Sequence, residues 1–126
     1  MVDYDTILSE VELYAYLDPK DASSLVSKIL KEMEDLGFIP SRRAEGYALL
    51  PMGSPIPTHL RLGIYEAMVT FWVRGVGDIE ISSKHLGMSP QELFDALMRG
   101  IRKAAEIFNS YQDKGSVRTY IPGEDI

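Results

Sequence analysis

The chain has no cysteine, one asparagine, two glutamines, two histidines and one tryptophan in its 126 residues. Without cysteine, disulfide scaffolds, thiolate metal sites and cysteine nucleophiles are excluded. No apolar run approaches the roughly 20 residues that a membrane-spanning helix needs. The first 12 residues carry acidic side chains where a secretory signal has a basic region and an apolar run. We therefore expect a protein with no membrane segment and a cytoplasmic origin.

Positive charge is also scarce, because the chain has 13 Lys and Arg residues but 19 Asp and Glu residues. The net charge is -6 and the pI is near 4.8. A chain of this sign repels phosphates as a whole, which disfavours nucleic-acid binding. The hydrophobic fraction of 45% and the charged fraction of 25% are typical of globular proteins. The length corresponds to one domain.

The apolar spacing predicts a mainly α-helical fold, a small bundle of about four helices with a long loop, a short strand or hairpin and an extended C-terminal tail. We expect the helical domain to cover residues 1–113 and the tail to cover residues 114–126. The first predicted helix covers residues 5–17. The second begins at Asp18-Pro19 and ends at Gly37, which supplies a left-handed stop.

Residues 38–58 show no regular period and form the predicted long loop, with a candidate short strand at residues 47–50. A third helix is predicted from Pro57 to about Arg74, and it is apolar nearly all round. Such a helix is buried in its own domain or against a neighbouring subunit, so we expect a homo-oligomer. The subunit-interface candidates are Leu62, Tyr65, Val69, Trp72, Tyr47, Leu49 and Leu50.

Beyond this helix, the alternation at residues 78–82 predicts a strand. The last helix begins at Ser89, where Ser89 and Glu92 have the spacing of a capping box. The tail is predicted to be extended, either adding as an edge strand to a partner or lying over its own domain. The docking candidates in the tail are Val117, Arg118, Tyr120 and Ile121.

Catalytic patterns are missing from the chain. His59 and His85 have no second ligand at metal-binding spacing, and neither a nucleophile elbow nor a glycine-rich phosphate loop occurs. We therefore expect a protein that is not an enzyme and that needs no metal ion or other cofactor.

The segment from Leu86 to Leu97 resembles the turn and second helix of a helix-turn-helix, as in AraC-type regulators. Its candidate DNA contacts are Gln91, Arg99 and Arg102, so a regulator of this kind would use the segment from Leu86 to Arg102. Against this reading, Glu92 and Asp95 repel phosphates and the preceding segment alternates like a strand. A small DNA-binding regulator, dimeric and cytoplasmic, is the alternative function.

The order of the predicted parts resembles the head-to-tail connector (adaptor) proteins of long-tailed bacteriophages. The resemblance rests on a short helix at residues 10–17, a long helix at 22–36, a proline-led apolar helix at 56–72 and a glycine-aspartate strand at 77–82. It implies a structural virion protein, assembled in the host cytoplasm, that forms a ring under the portal and extends the DNA channel. The implied partners are portal and tail proteins, and DNA passes through without specific binding.

Overall fold

The computed structural model describes residues 3–123 and contains both helices and a large sheet. Of the described residues, 44% are helical and 30% are in strands. The helices are α1 (Tyr4–Ser9), α2 (Pro19–Asp35), α3 (Ile79–His85) and α4 (Pro90–Asn109), with a 3₁₀ turn at Val76–Asp78. The strands are β1 (Glu12–Tyr16), β2 (Phe38–Arg43), β3 (Gly46–Pro51), β4 (His59–Tyr65), β5 (Met68–Arg74) and β6 (Ser116–Tyr120).

The six strands form one sheet in the order β2-β3-β4-β5-β1-β6. Every neighbouring pair is antiparallel. Strands β2 to β5 follow one another as hairpins, whereas β1 comes from the beginning of the chain and β6 from its end. Strand β1 is therefore held on both sides, and β2 and β6 form the edges of the sheet.

Helices α2 and α4 pack together on one face of this sheet, where they contact strands on both sides of its centre. Gly100 lets α4 approach closely, because a Cβ atom there would lie 2.9 Å from both Leu60 Cδ1 and Phe38 Cε2. The largest fully buried side chains are Leu8 of α1 and residues of α2, α4 and the inward strand positions. They include Leu13, Leu25, Ile29, Met33, Leu49, Leu60, Leu62, Phe71, Leu93, Leu97 and Phe108.

The predicted mainly α-helical bundle is wrong, and the third predicted helix is the largest error. Its residues form the hairpin of β4 and β5, with a turn at Glu66 and Ala67. The apolar residues of the predicted helix are instead divided between the two faces of β4 and β5. Inward positions of period two carry Leu60, Leu62, Val69, Phe71 and Val73. The β-branched and aromatic residues at 69–73 favour a strand, and the helical reading gave them too little weight.

Two shorter predictions are also wrong. The predicted helix at residues 5–17 ends at Ser9, and the alternation of Leu13 and Ala15 into the core makes the rest strand β1. The predicted strand at 78–82 is helix α3, whose buried residues Ile79, Ser82 and Ser83 have helical spacing. The connector resemblance rests on helices at residues 10–17 and 56–72 and on a strand at 77–82. Strand β1 and the β4–β5 hairpin occupy the two helical segments, and most of the third segment belongs to α3.

Three local predictions are confirmed. Helix α2 begins at Pro19, although the side chain of Asp18 makes no capping hydrogen bond, and it is followed by Gly37 with a φ of 89°. Helix α4 begins with the complete capping box, in which Ser89 Oγ accepts from the Glu92 amide and Glu92 Oε1 accepts from the Ser89 amide. Residues 116–120 are extended.

The turn between β2 and β3 generates a stability prediction. Gly46 has a φ of 143°, and a Cβ atom there would lie 1.9 Å from the Leu62 carbonyl oxygen. Gly46→Ala should therefore lower the free energy of unfolding by about 3 kcal/mol or more, measured by urea denaturation.

Gly87→Ala is the matched control, because Gly87 also has a positive φ of 71° but open space around it. It should cost only about 1 kcal/mol. Equal losses for the two variants would contradict the close approach of β3 and β4 at Gly46.

Candidate functional site

The face of the sheet opposite α2 and α4 has no helix packed on it in the described residues, and we call it the open face. Register and strand alternation define its side chains. They include Glu12, Tyr14, Tyr16, Arg43, His59, Arg61, Tyr65, Met68, Thr70, Trp72, Arg74, Arg118 and Tyr120. The open face therefore combines aromatic rings with arginines.

Its centre is built around Gly63. A Cβ atom at this position would lie 2.7 Å from Thr70 Oγ1 and 2.9 Å from both Trp72 Cζ3 and Tyr65 Cε2. The absence of a side chain at Gly63 thus allows the Trp72 and Tyr65 rings to lie close to the backbone. Tyr65 remains 39% exposed, so its ring is available to a ligand.

A second group of rings lies on β1 and β6. Tyr14 and Tyr16 are in edge-to-face contact, with ring centroids 5.7 Å apart and an interplanar angle of 79°. Tyr16 is 49% exposed and Tyr120 is 42% exposed. Exposed rings on a sheet face offer flat apolar surfaces with a polar hydroxyl at the rim.

The charge of the open face has the opposite sign to that of the whole chain. Its strand positions carry four of the seven arginines and a single carboxylate, Glu12, for a formal charge of +3. Because the chain as a whole has -6, the remaining side chains sum to -9. Arg118 lies 3.9 Å from Glu12 in an exposed ion pair. Arg43, Arg61 and Arg74 form the second part of this positive surface.

One end of the open face is covered by the segment 52–58, which joins β3 to β4. Ala48, Leu50 and Ile56 are buried although they lie outside the main core. The segment is anchored at Thr58, whose Oγ1 donates to the Gly75 carbonyl at 2.6 Å and whose amide donates to Ser82 Oγ at 3.0 Å. It therefore forms a rim at one end of the open face.

His59 lies at this rim, opposite Arg74 in the register of β4 and β5. The side chain is only 8% exposed. Its Nδ1 lies 3.0 Å from the Ile56 carbonyl oxygen, to which it donates. Its Nε2 is buried and has no hydrogen-bond partner among residues 3–123. Buried polar side-chain atoms nearly always have a hydrogen-bond partner, so the unpartnered Nε2 is unusual.

Burial and the surrounding positive charges both lower the pKa of His59. Burial lowers its pKa, the hydrogen bond to Ile56 opposes this, and the positive charges of Arg61, Arg43 and Arg74 lower the pKa further. Burial and the charges of Arg74 and Arg43 also lower the pKa of Arg61. The three guanidinium groups therefore repel one another across three strands and disfavour the protonated form of His59, an arrangement that a bound anion would stabilise.

The predicted subunit-interface residues do not share one surface. Leu49, Leu62 and Val69 are buried in the core beneath the helices, and Tyr47 is half-buried on the same side. The others, Tyr65, Trp72 and Leu50, point to the open side. Leu50 is covered near the segment 52–58, so only Tyr65 and Trp72 belong to the accessible open face.

The predicted docking tail is the sixth strand of the chain's own sheet. Strand β6 pairs with β1 from Ser116 to Tyr120. Val117 packs toward the core and Ile121 is buried, while Arg118 and Tyr120 lie on the open face. The last three residues, 124–126, lie outside the described part of the chain.

The candidate helix-turn-helix has a first helix after all, because α3 precedes the turn at Gly87. Gln91, Arg99 and Arg102 are exposed on α4. The Gln91 amide group is already used, since its Oε1 accepts from Tyr4 at 2.6 Å and its Nε2 donates to Asp95 at 2.8 Å. The opposite stripe of α4 is core against the sheet.

An open cleft of about 840 Å³ lies between α1, the 3₁₀ turn and the start of α4. Its lining includes three carboxylates, Asp3, Asp5 and Glu80. Asp3 caps α1, and hydrogen bonds from Thr6 lower the pKa of its carboxyl. Within the described residues no group of three or more His, Asp or Glu side chains has the arrangement of a metal site.

Several residues of the open face were not predicted as functional. Arg43, Arg61, Arg74 and His59 come together only through strand pairing. Alternation could have placed Arg61 and Trp72 on the polar face of a strand, since each lies between two apolar residues of the sequence, but it does not specify the strand pairing. Because residues 57–74 were predicted to be a helix, this alternation was not assigned to strands.

Comparison with protein-family models, curated proteins and solved structures found no match. No helix within residues 3–123 has the length and apolar character to cross a membrane.

His59 generates a pH prediction. Because folding lowers its pKa from the ordinary 6.5, the unfolded chain binds a proton there more readily than the folded protein. The free energy of unfolding should therefore fall as the pH drops from about 7.5 to about 5.5, above the range where carboxylates titrate.

Urea denaturation at both pH values measures this loss. His59→Gln should reduce the difference between the two values, whereas His85→Gln, at an exposed position, should leave it unchanged. An unchanged difference in His59→Gln would show that His59 does not cause the loss.

Proposed function

We propose that this protein binds single-stranded nucleic acid through the open face. The observation that carries the proposal is the placement of Trp72, four tyrosines and four arginines on one face of the sheet. Single-stranded nucleic acid offers bases that stack on aromatic rings and phosphates that pair with arginine. The open face presents both kinds of group over several strands.

The aromatic rings supply the base contacts. Stacking of one base on an aromatic side chain contributes about 1–3 kcal/mol, and it is tolerant of sequence because every base has a flat face. Tyr16, Tyr65 and Tyr120 are each more than one third exposed. The six strands give a surface roughly 24 Å across, wide enough for a short run of nucleotides.

The arginines supply the phosphate contacts. Guanidinium groups bind phosphate oxygens through paired hydrogen bonds, which an ammonium group does not match. The open-face strand positions carry four arginines and no lysine. The charge of -9 elsewhere on the chain favours this face for an anionic ligand, because its strand positions sum to +3.

The two functions predicted from the sequence receive less support from the geometry. The connector resemblance used helices at residues 10–17 and 56–72, and strands β1, β4 and β5 occupy those segments. The regulator would read duplex DNA with α4, whose first turn carries Glu92 and whose Gln91 amide is engaged within the chain.

A fluorescence titration tests the proposal, because Trp72 is the single tryptophan of the chain. Addition of an oligothymidylate of about 15 nucleotides should quench Trp72 emission as bases stack on the open face. The double variant Arg61→Gln/Arg74→Gln should weaken binding by about tenfold or more. It should also reduce the slope of log affinity against log salt by about 1.4.

Arg99→Gln/Arg102→Gln is the control, since it removes the same charge from α4. It should retain the affinity and salt dependence of the unaltered protein. Loss of binding in this control alone would instead support the regulator. No quenching and no binding at low salt would overturn the proposal. A doubling of mass that depends on protein concentration and is abolished by Arg61→Gln/Arg74→Gln would instead assign the surface to a second copy of the chain.

A further inference from the structure

The rim of the open face contains a feature that general stacking and charge do not require. His59 is enclosed, yet its Nε2 has no hydrogen-bond partner among the described residues. Since Nδ1 donates to the Ile56 carbonyl, the neutral ring presents Nε2 as an acceptor. The nearby charged side chains are arginines, which are donors only. The ring thus has a buried acceptor at the rim that no described residue uses.

We propose that this corner, formed by His59, Arg61 and Arg74 with Arg43 beside them, is a phosphate subsite in which His59 takes up a proton from solvent as phosphate binds. The inference rests on the proposed function, because it identifies where one phosphate of the bound strand lies. A protonated ring donates from both nitrogens, so Nδ1 keeps its bond to Ile56 while Nε2–H donates to a phosphate oxygen.

The charges around His59 explain the coupling. Burial of the ring and the charges of three arginines, from β2, β4 and β5, lower the pKa of His59 in the free protein. A phosphate between them supplies negative charge and an acceptor, which favours the protonated ring. By reciprocity, protonation of His59 must strengthen phosphate binding by the same factor.

Arginine and histidine contribute differently to the phosphate subsite. The guanidinium groups stay charged over the whole physiological range, so they attract the anion at any pH. His59 adds a donor only when the anion is present or the pH is low. Binding at this subsite should therefore tighten as the pH falls from about 8 to about 6.

Nuclear magnetic resonance can follow the protonation of His59 directly, because the chain has only two histidines. His85 is exposed and serves as an internal control. The ring resonances are titrated with pH in three samples: the protein in chloride, in inorganic phosphate at equal ionic strength, and with saturating oligothymidylate. The midpoint of His59 should move to higher pH with both phosphate sources, and that of His85 should not move. A shift with the oligonucleotide alone would assign the subsite to a phosphodiester, and a shift with both would show that a free phosphate suffices.

Two variants add independent readouts. Arg74→Gln, at an exposed position, should raise the His59 midpoint in chloride and reduce the further shift caused by phosphate. In the unaltered protein the oligonucleotide affinity should be at least about fivefold tighter at pH 6 than at pH 8. His59→Gln should remove this pH dependence, and His85→Gln should keep it.

The possible failures can be told apart. If the oligonucleotide quenches Trp72 but the His59 midpoint stays unchanged, the phosphate subsite is wrong and the proposed function stands. If the oligonucleotide neither quenches Trp72 nor binds at low salt, the proposed function fails. If inorganic phosphate shifts neither histidine and Arg74→Gln leaves the His59 midpoint in place, the assigned coupling between the arginines and His59 is wrong.

Discussion

The packing of α2 and α4 against one side of the sheet is the constraint on which the rest of the structure depends. Six strands present two faces, and the two long helices of residues 3–123 cover only one of them. The covered face takes the aliphatic side chains and Phe71, while the other face must tolerate water. Large rings and arginines satisfy this requirement, because they cover the backbone with apolar surface and keep polar groups at the solvent. The same side chains then become available to a ligand.

Charge is distributed unevenly over this architecture. The average composition indicates an acidic protein with little attraction for phosphate, yet the open face has a formal charge of +3. A surface of one sign within a molecule of the other sign orients an anionic ligand toward that surface. His59 lies where this positive surface meets the rim, and its unpartnered Nε2 and the arginines around it have a common explanation in a bound anion.

The sequence predicted the parts of the fold that local chemistry controls. Helix α2 begins at Pro19 and α4 begins at the Ser89 capping box, because caps and proline act over a few residues. The hairpin of β4 and β5 was missed because its strands carry apolar or aromatic residues on both faces, a pattern that also fits an apolar helix unless the strand preference of residues 69–73 is counted. The site followed this error, because Arg43, Arg61 and Arg74 meet only through strand pairing that no local pattern specifies.

Amide chemical-shift mapping with a single-stranded oligonucleotide tests the central claim most directly. The account predicts that the perturbed amides concentrate in β4, β5 and β1, with the Trp72 indole among the largest changes and the exposed side of α4 unaffected. Perturbations concentrated on α3 and α4, or none at low salt, would contradict the assignment of the open face as the binding surface.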